Sequence, residues 1–154
     1  LALGIDAAAH EGALAGGGRS LAILGCGLNR MYPPQNHALA AQILQHGAVL
    51  SELTPPTGVS PQTLVARNRI TAGLSRAVIV VESKDDSGSL HTVRQAQQIG
   101  CPVLAVRGQL SLNEPVLREG AIPIQGDGDH MDELVATLNA NLTESTGSME
   151  RTFP

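Results

Sequence analysis

Residues 67–92, RNRITAGLSRAVIVVESKDDSGSLHT, decide how this chain reads. Arg67-Asn68-Arg69 forms a basic cluster, and the segment after it is apolar at Ile70 and Leu74. Ala77-Val78-Ile79-Val80-Val81 is apolar on both faces, the mark of a central parallel strand. It ends in Glu82-Ser83-Lys84, and the chain turns through Ser87-Gly88-Ser89 into a helical run over 90–99 that includes Thr92. A small-residue turn between a buried strand and a helix presents free backbone N–H groups and a positive dipole end, where an anion can sit. Arginines add planar donors that suit phosphate oxygens. The stretch therefore predicts a site for a phosphate-bearing ligand.

Outward from it, strands and helices alternate, which predicts an α/β fold with a mostly parallel sheet and helices on both faces. Helices are expected over 5–14, with Asp6 as cap and dipole partner, over 35–45 behind Pro33-Pro34, and over 116–119. Strands are expected over 20–24, 49–53 and 103–106, with 54–61 a Pro/Thr-rich loop. Residues 122–124 read as an edge strand because they contain Pro123. Asp129 is expected to cap a last helix reaching residue 142, so residues 1–142 form one domain and 143–154 a flexible tail.

Composition narrows the function. With 42% hydrophobic residues among 154 the chain can bury a core, but its only aromatics are Tyr32 and Phe153. Nonspecific single-strand binders commonly stack bases on aromatic platforms. Tyr32 is the one platform inside the expected domain, so nucleic-acid binding here must lean on phosphate contacts. Net charge is −4, with nine arginines and one lysine, so any cationic site is a local patch on an acidic body. Cys26 and Cys101 lack metal-ligand spacing and read as reduced thiols of a cytoplasmic protein. Neither a metal nor a cofactor is expected. No apolar run approaches the roughly 20 residues of a membrane span.

Gly25-Cys26-Gly27 follows a strand's carboxyl end, where open α/β sheets place ligands. It is not the dinucleotide fingerprint, because Arg30 stands at the third glycine position. It reads either as a phosphate-facing loop fed by Asn29 and Arg30 or as a structural turn. Asp6 and His10 lie one helical turn apart, yet no nucleophile is placed beside them, so no catalytic residue is assigned. Arg67 and Arg69 diverge by about 200° on a helix. One is expected at the ligand, Arg67 being the choice, and the other in an ion pair with Glu52 or Glu82.

The order of motifs resembles the Rossmann-like domain of the DprA/Smf family. The residues that carry the resemblance begin with Gly4-Ile5-Asp6, Ala8-Ala9-His10, Gly25-Cys26-Gly27, Tyr32-Pro33-Pro34 and Asn36. Ser51-Glu52, Arg67-Asn68-Arg69-Ile70, Ser87-Gly88-Ser89-Leu90 and Glu119-Gly120-Ala121 continue it in the same order. It covers roughly residues 1–135, and it implies that a strand and helix preceding Leu1 are missing, as in a fragment of a longer product. It further implies a protein without established catalytic activity that binds single-stranded DNA in natural transformation and hands it to the recombinase RecA. Family members dimerise through this domain, so a homodimer is expected.

The expected phosphate pocket gathers Gly4, Gly25, Gly27, Arg30, Arg67 and Arg69 with Ser87, Gly88, Ser89, Thr92 and Arg107. Leu3, Ala66 and Asp86 stand where the family tends to be basic, which predicts weakened DNA affinity, while Arg107 restores a charge where the family has proline. Two other functions remain open on the sequence. One is a nucleotide-binding or nucleoside-monophosphate-cleaving enzyme, although its usual Pro-Gly-Gly-x-Gly-Thr motif is absent. The other is a divergent assembly module with weak DNA affinity.

Overall fold

The computed structural model describes residues 1–83, 88–107 and 113–125, together with 132, 135, 136 and 138–140. It divides into two compact units, 1–71 and 72–154.

In the first unit, α1 (Ile5–Ala15) begins after Gly4, whose φ of 82° is one that L side chains resist. Gly4, not Asp6, is therefore the N-cap. Asp6 sits in the first turn, near the positive end of the helix, and no side chain caps it. Parallel strands β1 (Leu21–Ile23) and β2 (Ala48–Leu50) pair with Leu21 opposite Ala48. Between them runs α2 (His37–His46), entered through a 3-10 turn at Pro34–Asn36. Leu39, Ala40 and Ile43 share one face of α2 and pack with Ala22, Leu24 and Cys26 into a single core. At Gly47 a Cβ would fall 1.8 Å from the Ser20 carbonyl oxygen, so the strands begin where only glycine fits. β2 stops at Leu50 rather than running to residue 53. Ser51 Oγ donates to the Cys26 carbonyl and accepts from the Leu53 N–H, which turns the chain off the sheet.

The helix that carries the arginines, α3 (Pro61–Gly73), starts six residues before Arg67. Thr63 N–H donates to Ser60 Oγ (3.2 Å) and Ser60 N–H donates to Thr63 Oγ1 (2.9 Å), a reciprocal cap followed by Pro61 at the first helical position.

In the second unit β3 (Val78–Val80), β4 (Val103–Arg107) and β5 (Ile122–Gln125) form a parallel sheet in the order β3-β4-β5. The central strand of this unit is β4, with Val103, Leu104 and Ala105 all buried. β3 neighbours β4 in this order, and its Ile79 is 42% exposed. β5 takes the other end, in keeping with Pro123. α4 (Gly88–Gln98) buries Leu90, Val93 and Ala96 at three-residue spacing against Val80, Val103 and Ala105. α5 (Glu114–Arg118) begins two residues earlier than expected, with Pro115 in its first turn. Residues 132, 135, 136 and 138–140 are helical; Asp129 and the tail over 143–154 lie outside the described residues.

Both cysteines are free thiols, and burial pushes the Cys101 thiol up. Among the described residues no helix is long and apolar enough to cross a membrane.

Candidate functional site

The carboxyl end of β1 borders a cleft of about 210 Å³. Ile23, Leu24 and Gly25 form one wall, Leu64 and Arg67 of α3 another, and Leu1, Ala2 and Leu3 with Tyr32 and Pro33 complete the lining. Leu64 and Arg67 meet there because three positions apart on a helix is the same face. Gly25 lets α3 approach: a Cβ at that residue would lie 3.0 Å from Leu64 Cα.

Among the described residues, Arg67 contributes the one charged side chain to this cleft. Its Nη1 donates to the Ile23 carbonyl at the end of β1, while Nε is buried with no hydrogen-bond partner among the described residues. Burial lowers the guanidinium's pKa from its ordinary value, with Asp6 and the Cys26 thiol acting in the opposite direction. A desolvated cation with an unmet donor is a strong recruiter of anions, because the missing solvation is regained on pairing. Arg69 leaves the helix elsewhere and pairs with Glu52, exposed to solvent. The two arginines diverge as the helical spacing predicts, and of the two acceptors expected, Glu52 and Glu82, the pair is with Glu52.

The loop after β1 is a closed turn at several of its amides. Gly27 N–H donates to the Thr57 carbonyl (2.8 Å), Asn29 N–H to that of Pro55 (3.0 Å), and Arg30 N–H to that of Gly27 (2.8 Å). A Cβ on Gly27 would lie 2.1 Å from the Thr54 carbonyl oxygen, so this glycine serves a close backbone approach. What the loop offers outward is the exposed Arg30 side chain, in the 3-10 turn Leu28–Arg30.

In the second unit Gly88 and Ser89 open α4, Thr92 is half-buried in its second turn, and Arg107 ends β4 exposed, opposite Gln125. Ser87 lies outside the described residues. The first unit thus brings Gly25 and Arg67 into one cleft and sends Arg69 away from it. The lining by Pro33 and Leu64 is absent from the sequence reading, which looked for donors rather than an apolar wall. Asn113, fully buried at the carboxyl ends of β3 and β4, was also missed; its only signal was an Asn two residues before a helix-opening proline.

Residues 1–134 match the family of DNA recombination-mediator protein A. Protein Smf of Synechocystis sp. is 38% identical across the whole chain, and the DNA processing protein DprA of Streptococcus pneumoniae is 46% identical over 71% of it. The chain spans 39% of the length of each. A solved structure of DNA processing protein A from Helicobacter pylori, described for its single-stranded DNA binding mode, superposes with a TM-score of 0.76. That match has 29% identity and covers 88% of this chain and 64% of that one. These likenesses agree with the parallel, helix-flanked strands of both units and with the Rossmann-like α/β class expected. By sequence and by fold, the chain belongs to the DNA recombination-mediator protein A (DprA/Smf) family.

Proposed function

We propose that this chain binds single-stranded DNA through its backbone phosphates, in DNA processing during natural transformation. It acts by binding rather than by catalysing a reaction, uses no cofactor, and works as a cytoplasmic homodimer that delivers the strand to a RecA-type recombinase. The observation that carries the reading is Arg67: a partly desolvated cation with an N–H donor unmet among the described residues, set in a mostly apolar cleft beside a strand's carboxyl end. Such a cleft suits a phosphate on the guanidinium with the apolar face of a sugar or base against Leu3, Leu64 and the exposed ring of Tyr32. Arg30, Gly88, Ser89, Thr92 and Arg107 supply further donors along the strand. Base edges would not be read, since the lining offers no set of convergent amides.

Titration of labelled oligo-dT at two salt concentrations tests this. Binding that weakens with salt, and weakens further in Arg67→Ala, supports it; no binding at low salt, or a variant identical to the parent, overturns it. Equal or tighter binding of duplex would count against single-strand preference. Delivery is read separately, as the gain in RecA filament formation on coated DNA when the protein is added.

A further inference from the structure

Asn113 stands just before α5 and has no exposed surface. Its Nδ2 donates to the carbonyls of Val80 (3.2 Å), Val81 (2.9 Å) and Val106 (2.8 Å). These belong to the carboxyl ends of β3 and β4, neighbouring strands of one sheet. Its Oδ1 is buried with no hydrogen-bond partner among the described residues. An amide that leaves its acceptor unmet in the interior is a poor stabiliser. What it does supply is geometry, a fixed spacing between two strand ends at the edge where open α/β sheets meet ligands. The Val106 carbonyl belongs to the same peptide as the Arg107 N–H, so the amide also fixes the direction in which the chain enters Arg107. Arg107 itself is exposed and pairs with no carboxylate among the described residues.

We propose that Asn113 is a positioning residue for DNA binding: by clasping the ends of β3 and β4 it aims the Arg107 guanidinium at a phosphate of the strand. The inference rests on the single-stranded DNA reading above and adds a residue to it that does not touch the ligand. A purely structural Asn113 would affect folding alone. A positioning Asn113 also changes the number of phosphates neutralised.

The test is a double-variant cycle on the full chain, Asn113→Ser with Arg107→Ala, read as oligo-dT affinity across a salt series with melting temperature alongside. The proposal expects Asn113→Ser to fold, to bind about tenfold more weakly, and to lose about 0.7 from the log–log salt slope, one single-strand phosphate. Arg107→Ala should do the same, and the double variant should be no worse than Arg107→Ala alone. A lowered melting temperature with affinity and slope unchanged overturns the proposal, and so do two losses that simply multiply. If Asn113→Ser does not fold, Asn113→Thr, which keeps one hydroxyl donor and more of the volume, is run through the same cycle. A parent protein that does not bind oligo-dT removes the DNA reading and this inference together. A parent that binds beside an unaffected Asn113→Ser removes this inference alone.

Discussion

Arg67 and Arg69 share a helix yet answer to different physics. The Arg69–Glu52 pair is solvent-exposed, and pairs of that kind contribute about 0–1 kcal/mol. Arg69→Ala is therefore expected to shift the melting temperature by no more than a few degrees, and to leave the salt slope of DNA binding near the parent's. Arg67→Ala should flatten that slope by about 0.7. A slope that falls in Arg69→Ala and holds in Arg67→Ala would reverse the assignment. His10 supplies a pH-dependent counterpart. Its Nδ1 lies 2.7 Å from Ser20 Oγ, and burial holds its pKa below the ordinary value. The unfolded chain thus binds the proton more readily, so this group's stability is fully present above the unfolded pKa of about 6.5 and is lost as pH falls toward the folded value. His10→Asn, which keeps a polar partner for Ser20, should show a shallower fall in melting temperature between about pH 7 and 5 than the parent. Equal falls would mean that His10 titrates alike in both states.

At the scale of elements, α3 depends on its reciprocal cap. Ser60→Ala removes one half of it and should cost about 1 kcal/mol, a drop of roughly 2–4 °C in melting temperature for a chain of this size. An unchanged melting temperature would show the cap to be dispensable. This start was legible in principle, because Ser60-Pro61-Gln62-Thr63 places a hydroxyl, a first-turn proline and a second hydroxyl at capping spacing. It was obscured by the Pro/Thr-rich run before it, which reads as loop when taken as composition. An Ala-rich run, a leading Pro33-Pro34 pair and the Ser87-Gly88-Ser89 turn did locate α1, α2 and α4 to within a few residues. They could not order β3 and β4, because both are apolar, and only hydrogen-bonded neighbours set the order of strands in a sheet. Asn113 escaped for a related reason: its three carbonyl partners lie 7 to 33 positions away.

For the whole molecule the sign of the charge sets the terms. A net charge of −4 opposes approach to a polyanion at long range, so the proposed reading needs local cations, and Arg30, Arg67 and Arg107 are its candidates. If each meets one phosphate of a single strand, the log–log salt slope is about −2. A slope far steeper would reveal cations beyond these three. Lowering pH toward the pI near 5.7 should also tighten binding, as the repulsive background fades. The family was legible because it rests on many short motifs in fixed order. The site was less so, because a motif names a residue without saying whether its donors are already used, as the Gly27 amide is by Thr57.

The bond from Arg67 to the Ile23 carbonyl has an energetic consequence of its own. A free arginine side chain carries about 2 kcal/mol of rotamer entropy, which a surface arginine must give up on meeting a phosphate. Arg67 has surrendered much of that freedom during folding, so its ligand encounters a preorganised donor. Bonds formed by such a group dissociate slowly relative to those of a mobile side chain with the same charge. Arg67 would therefore lengthen the residence time of a bound strand, while the exposed Arg30 and Arg107 govern how often one is captured.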